Sequence, residues 1–408
     1  MGGAVEVLGV HGYFITNMTS GYGFDGVAIA VMGQYTPLGT VVSALIFGAL
    51  RAGSTSMNRM TSIPGEFIQV LQALVIHARH CEHVPQEAPP EEGGLSKMED
   101  ILSVVTSLIA GSIRVSIPIA FAALGGTLSE RSGIINMGLE GTMLIGAFFG
   151  VVGSYFTNNV WLGLLTAMLA GALCGLLHAV LTIRFKCEHV LAGVGINVLA
   201  SGLTVVLLQM IWDTKGKSAE VASFSNISLP VINQIPVLKD ILGEVSPLLI
   251  LLAVSVVGVW FLLYRTVFGL RARVIGENPE AAGSMGINVY RTQYICVILC
   301  GVLAAIGGAY MSIGDIHMFS RDMVSGRGFI ALAVVIFGGW HPVGAWLGSL
   351  LFGLAQSLQY RLQTGSIPPQ LVQMLPYVAT IVVLIFARGS SRRAPASEGK
   401  HYYAKGEQ

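Results

Sequence analysis

The sequence predicts an all-α polytopic membrane protein, a helical bundle of about nine spans with room for broken or re-entrant segments. Three observations predict it. Of 408 residues, 53% are hydrophobic and only 11% charged, where a soluble domain carries about 25% charged residues; mean hydropathy is +0.70. Apolar runs of about 17–25 residues recur, the length a helix needs to cross a ~30 Å hydrocarbon core. Glycine is abundant, at 51 residues. Gly146 with Gly150, Gly171 with Gly175, and Gly344 with Gly348 have the small-xxx-small spacing that lets membrane helices approach closely.

The remaining bulk properties exclude other classes. A net charge of +1 implies no nucleic-acid partner. The five cysteines have no regular spacing, so neither a disulfide framework nor a metal site is expected. Residues 1–11 lack the basic and apolar regions of a cleavable signal peptide.

The longest polar stretch, 77–100, is rich in Pro, Glu and Gly and reads as a linker. The expected organisation is a partial membrane fragment with two to three apolar segments at 1–80, a linker at 81–97, a transmembrane domain at 98–390 and a cytoplasmic tail at 391–408. Spans are expected at 101–124, 134–156, 160–183, 190–212, 247–264, 292–312, 326–340, 342–362 and 371–387. The seventh is short, parted from the eighth by His341 and Pro342, and fits a broken segment buried by protein. Arg184 and Lys186, then Arg265, Arg271, Arg273 and Arg291, then Arg388, Arg392 and Arg393 fall on one side when the spans are threaded alternately. That side is cytoplasmic by the positive-inside rule, which makes the C-terminus cytoplasmic and Met98 external. The connection 213–246 is then external, with an amphipathic portion near 231–242.

An internal repeat relates the two ends of the chain. Gly21, Gly23, Phe24, Ala28, Gly33, Pro37 and Gly39 recur at constant offset as Gly326, Gly328, Phe329, Ala333, Gly338, Pro342 and Gly344. The last apolar run of the N-terminal copy, 67–78, is too short to span. A truncated or frame-shifted upstream reading frame joined to one starting at Met98 produces this pattern; a genuine fusion is the other reading.

The segment RARVIGENPEAAGSMGINVYRTQ, 271–293, carries the clearest local signal. Asn278 is placed as an N-cap, Pro279 in the first turn and Gly286 as terminator of a short helix between two spans. Such a helix can dock into a soluble partner; a plain loop with a chance helix is the alternative. Among polar residues within spans, Asn136 and Glu140 lie one turn apart in the glycine-broken start of the second span and can face a central pathway. A second reading pairs Glu140 with Arg131 near the cytoplasmic interface. Asn197 and Ser201 share a helix face and suit either a polar solute or helix-to-helix hydrogen bonds. His178 reads as a packing residue. Asp315 and Asp322 read as solvated loop residues. His77, His80, Cys81 and His83 hold metal-ligand chemistry, but where the composition breaks, and no metal is assigned.

GENPEAAGSMGINVYR resembles the coupling segment of ABC importer permeases of the branched-chain amino acid and simple-sugar class. SERSGIINMGLEGTMLIGAF (129–148) is similar to the signature of its nucleoside and simple-sugar branch, and GRGFIALAVVIFGGWHPVGA to a late segment of that branch. The N-terminal fragment resembles the C-terminal end of a companion permease. The resemblance implies a bacterial inner-membrane, multi-pass subunit with no catalytic residues, metal or cofactor of its own. ATP would be bound by a partner subunit; this chain has no phosphate-binding G-x-x-x-x-G-K-[ST] loop. The implied partners are a second permease chain, a cytoplasmic ATPase, an extracytoplasmic binding lipoprotein and membrane lipid. Gly276, Glu277, Asn278, Pro279, Glu280, Ala281, Ala282 and Gly286 would meet the ATPase. The rival classes are a simple-sugar or branched-chain amino acid permease, an ion-coupled secondary transporter, and an intramembrane enzyme. The last would need a convergent nucleophile–base or metal set, and the sequence has none.

Overall fold

The computed structural model describes residues 94–214, 216–225, 227–228, 244–362 and 394–403, with Val41, Ala44 and Leu45 besides. The chain divides into two compact units. One, Met1–Glu92 with Leu362–Met374, falls almost wholly outside the described residues. The other, Gly93–Arg361 with Leu375–Gln408, holds nearly all of them. The repeat at 21–50, the amphipathic stretch at 231–242, the ninth expected span and Arg388, Arg392 and Arg393 lie outside the described residues.

The body is helical. Its elements are α1 (Gly94–Arg131), α2 (Leu139–Thr157), α3 (Val160–Ala179), α4 (His189–Trp212), α5 (Pro247–Arg265), α6 (Val267–Glu277), α7 (Pro279–Ser284), α8 (Val289–Ala309), α9 (Arg327–Phe337) and α10 (Pro342–Leu362). Wider π-helical turns extend α3 through Val180–Arg184 and α8 through Tyr310–Ile316. Two-residue strands, β1 (Ile227–Ser228) and β2 (Glu244–Val245), pair antiparallel in the connection before α5. Among the described residues, 6 helices are long and apolar enough to cross a membrane, and α9 is a shorter apolar helix.

Burial sorts these helices. In α2 and α8, 72% of the apolar window is buried; in α4 and α5 it is 28%. Helices apolar all round with so little protein cover have another apolar environment to face. Leu169, Leu173, Val198, Met210, Val254 and Val257 form that outward surface. The core gathers α1, α2 and α3 around α8, with Phe121, Phe148, Met143 and Leu124 fully buried.

Glycines set the spacing around α8. A methyl at Gly171 would sit 2.3 Å from the Ala305 methyl and 2.4 Å from the Gly301 carbonyl; one at Gly146 would sit 2.4 Å from Ala305. The helices meet nearly backbone to backbone, so contacts that larger residues would prevent become available.

The largest differences from the expected spans lie around the first two, and the first helix runs on to Arg131 rather than ending at residue 124. The first helix begins at Gly94, within the expected linker, because no proline interrupts the chain until Pro118. The second span starts helically only at Leu139, not at residue 134. Gly133 takes φ +90 and opens a non-helical segment that lasts to Gly138.

Gly171→Ala is expected to destabilise the detergent-solubilised protein by about 1–3 kcal/mol through overpacking. Gly258→Ala, where an added methyl meets nothing within 4 Å, should leave the melting temperature unchanged. Thermal unfolding of the two variants side by side checks this.

Candidate substrate pathway and coupling segment

The non-helical segment 132–138 runs beside the middle of α8: Asn136 donates from Nδ2 to the sulfur of Cys300 at 3.3 Å, and Cys300 lies near the centre of Val289–Ala309. Non-helical backbone at that depth must find partners inside the protein. It finds them in side chains. Gln293 donates to the Ser132 carbonyl (3.1 Å), Ser129 to the Ile134 carbonyl (2.6 Å) and His178 Nε2 to the Ile135 carbonyl (3.0 Å). The Ile135 amide donates to His189 Nδ1 (3.3 Å), so two histidines hold the two polar groups of one residue. Asn197 donates to the Met137 carbonyl (3.0 Å) and accepts from the Gly141 amide (2.7 Å). Asn136 Oδ1 accepts from the Gly138 amide (3.0 Å).

A second break adjoins the first. The loop after α8 returns along the connection between α4 and α5: the Ser218 amide donates to Phe319, Val221 to His317 and Phe224 to Ile313. It then turns at Gly326 (φ +83) into α9. The first amides of a helix lack intrahelical partners and carry positive partial charge. Glu140 meets them with both oxygens, accepting from Gly326 N and Gly328 N at 2.7 Å each. A methyl at Gly328 would lie 2.5 Å from Glu140 Cα, so only glycine permits this approach. The pairing of Glu140 with Arg131 is corrected by the structure. Arg131 instead donates to the Trp340 (2.8 Å) and Gly339 (3.3 Å) carbonyls, closing the turn between α9 and α10.

The four pathway candidates therefore come together, but in different roles. Asn136 is fully buried and its amide is consumed by Gly138 and Cys300. Asn197 is committed to the break, and Glu140 to α9. Ser201 faces an open strip, donating to Asp322 Oδ1 at 3.1 Å. Asp322 is exposed, as the sequence suggests, and also pairs with Arg321 at 3.3 Å. Sequence reasoning missed Arg327 and Tyr360, which complete the strip: Arg327 donates to the Tyr360 hydroxyl (3.0 Å) and to the Met323 and Val324 carbonyls. The signal available was an arginine between the two glycines of GRGF. His178 is the packing residue expected of it, buried and bonded to backbone.

The short helix at Pro279 is formed as its sequence dictates. The Asn278 side chain accepts from the Ala281 amide (2.9 Å), Pro279 opens the first turn, and Gly286 takes φ +79 just beyond the end. Ala282 is buried beneath it with Ile275 and Val289. Glu277, Asn278, Glu280, Ala281, Ser284, Met285 and Gly286 remain exposed, while Gly276 is buried. Met285, just beyond the helix, is an exposed thioether on a surface of small residues.

Together these features define a class: a polytopic helical membrane protein with broken helices beside a polar strip, and a short helix presented at one end. Residues 108–384 match the family model described as branched-chain amino acid transport system / permease component, and the chain belongs to that family. It is 39% identical over 317 residues to the nucleoside ABC transporter permease protein NupC of Lactococcus lactis, covering 74% of this chain and 98% of that one. It is 38% identical to the guanosine ABC transporter permease protein NupQ of Bacillus subtilis, with the same coverage. It is 33% identical to the putative glucose ABC transporter permease protein TsgC13 of Haloferax volcanii, covering 70% and 93%.

Glu140→Ala should cost about 1–3 kcal/mol for each α9 amide it leaves without a partner. Faster hydrogen exchange at Gly328 and a lower melting temperature would register this, and Arg131→Ala should not speed exchange at Gly328. Asn278→Ala removes the cap of α7 and should cost about 0.5–2 kcal/mol locally, read as faster exchange across residues 279–286 with the spans unaffected.

Proposed function

We propose that this chain is a transmembrane permease subunit of an ABC importer, moving nucleosides across the bacterial inner membrane while a separate subunit hydrolyses ATP. The observation that carries the substrate class is the likeness, over nearly their whole lengths, to permeases named for nucleoside and guanosine transport. The chemistry of the strip agrees. Charges along it are already met: Glu140 by two amides, Asp322 by Arg321 and Ser201, Arg327 by carbonyls and a tyrosine hydroxyl. What remains suits a neutral solute rich in hydroxyls and amide-like edges, rather than the zwitterion of an amino acid. The glucose permease relative keeps a simple sugar as the second reading.

The coupling surface in this reading is Glu277, Asn278, Pro279, Glu280, Ala281 and Ala282, ending at Gly286, with Gly276 beneath it. Lys186, the 271–278 segment and residues 394–403 share one end of the body. Their cationic content supports reading that end as cytoplasmic, with the C-terminus inside. The functional unit would add a second permease, two ATP-binding sites on the ATPase and an external binding lipoprotein. ATP binding would press on α7 and bias the bundle between two access states.

In proteoliposomes holding both permeases, the ATPase and the binding protein, excess uridine should suppress uptake of labelled guanosine and excess glucose should not; the reverse pattern would transfer the chain to the sugar reading. Glu280→Arg should reduce co-purification of the ATPase by about tenfold, equivalent to ~1.4 kcal/mol. Undiminished association and uptake would remove α7 from the coupling role.

A further inference from the structure

Residues 394–403 lie across the end of the body that presents α7. Pro395 is buried next to Gly276, and the turn that follows is fixed by backbone bonds at both edges. The Ser397 amide donates to the Gly276 carbonyl (2.9 Å) and its hydroxyl to the Glu277 carbonyl (3.0 Å). The Gly399 amide donates to the Gly133 carbonyl (3.0 Å), with Gly399 in the left-handed region at φ +76. Beyond the turn, His401 meets His189 edge to face at 5.1 Å, and the Lys186 ammonium sits 3.5 Å over the Tyr403 ring. Tyr402 packs with the cluster of Ile275, Ala282 and Val289 and against the Tyr290 ring at 5.4 Å. Its hydroxyl stands over Gly283, where a methyl would lie 2.4 Å away. The tail thus covers the inner face of α7 and leaves Glu280, Ala281 and Met285 open.

We propose that this tail positions the coupling segment: Tyr402 holds α7 from behind, and Glu398 pins the tail to the end of α1, so that a push on α7 is passed to α1 and α4. The proposal rests on the reading of α7 as the ATPase contact. Its force path is the set of contacts just described: Tyr402 against α7, Ser397 on the end of α6, Gly399 on Gly133 within the broken segment, and His401 against His189 at the start of α4.

The pin is a pair of acids. Glu398 and Glu130 share a hydrogen bond, and Trp340 donates to Glu130 at 2.6 Å. Two carboxyls can share a hydrogen bond only while one keeps its proton. Burial raises the Glu398 carboxyl above its ordinary range, and the bonds with Glu130 and Trp340 and the nearby Arg131 charge partly oppose this. Lys400, on the tail itself, donates to the Ala396 carbonyl. The shared bond favours the ionised form of Glu398, so the proton of the pair sits on Glu130, which donates it to the docked tail. The contribution of the pair to docking is fully present below the ordinary carboxylate range and is lost as pH rises and the shared proton leaves.

The test uses the full complex in proteoliposomes, with labelled guanosine as probe. Tyr402→Ala should speed exchange across residues 279–286 about tenfold and lower the guanosine moved per ATP, with ATPase co-purification retained. Tyr402→Phe, which keeps the ring, should restore both. In a pH series from mildly acid to mildly alkaline, wild-type guanosine moved per ATP should fall as pH rises, and Glu398→Gln, which needs no shared proton, should flatten the profile. Wild-type uptake and exchange in Tyr402→Ala, or an unchanged pH profile in Glu398→Gln, would overturn the proposal. Exchange reports tail and α7 without the ATPase. A failed coupling reading would therefore appear as normal association of Glu280→Arg, with the Tyr402→Ala exchange effect still present.

Discussion

The structure turns on one constraint: residues 132–138 leave the helix at the end of the bundle that presents α7 and run inward, largely buried, as far as Cys300, and their amides and carbonyls must still be paired. Water cannot do it there, and an unpaired buried polar group costs several kcal/mol. Side chains from four helices supply the bonds: Ser129 from α1, His178 from α3, His189 and Asn197 from α4, and Gln293 from α8. Each of those helices is thereby held at a fixed height and rotation about the break. The polar residues that look expensive in the sequence are the ones that make the break possible.

That anchoring gives α9 its place. Glu140 sits at the start of α2, directly after the break, and its two oxygens receive the first amides of α9. A carboxylate at a helix N-terminus is favoured both by the helix dipole and by charge-assisted hydrogen bonds. The far end of α9 is closed by Arg131 on the Gly339 and Trp340 carbonyls. One helix of a few turns is thus held at both ends by residues flanking the same break, Arg131 before it and Glu140 after it. A shift in the 132–138 segment would carry α9 with it, which makes the two broken elements one mechanical unit.

Much of this was legible in the sequence, and the limits were physical. Composition and run length revealed the bundle, because solvation in lipid acts on whole helices. The helix at Pro279 was legible because its signals are local: an N-cap, a proline and a left-handed glycine. Partners were not legible where they depend on distant segments meeting. Glu140 finds Gly326 and Gly328 far along the chain, and proximity in sequence favoured Arg131 instead. Glycines mark the start of the second span as broken, but the apolar pattern continues across it and does not report that the helix begins only at Leu139, because side chains from other helices satisfy the break. Tyr402 and Glu398 carry no motif; only their contacts reveal them.

The broken helices reopen one comparison and then decide it. Discontinuous helices near mid-bundle are the setting in which secondary transporters bind ions and charged substrates, with half-helix N-termini aimed at a carboxylate. Here the α9 N-terminus is aimed at a carboxylate belonging to the chain itself. With Glu140 already in that place, the helix dipole is spent on structure. The Glu140 oxygens, each engaged by an amide, are poorly disposed to coordinate a cation as well. A broken helix sealed by its own anion offers a pathway polarity without net charge. That is compatible with a neutral solute moved by conformational bias, and under the function proposed above the drive enters through α7 rather than through an ion bound at the break.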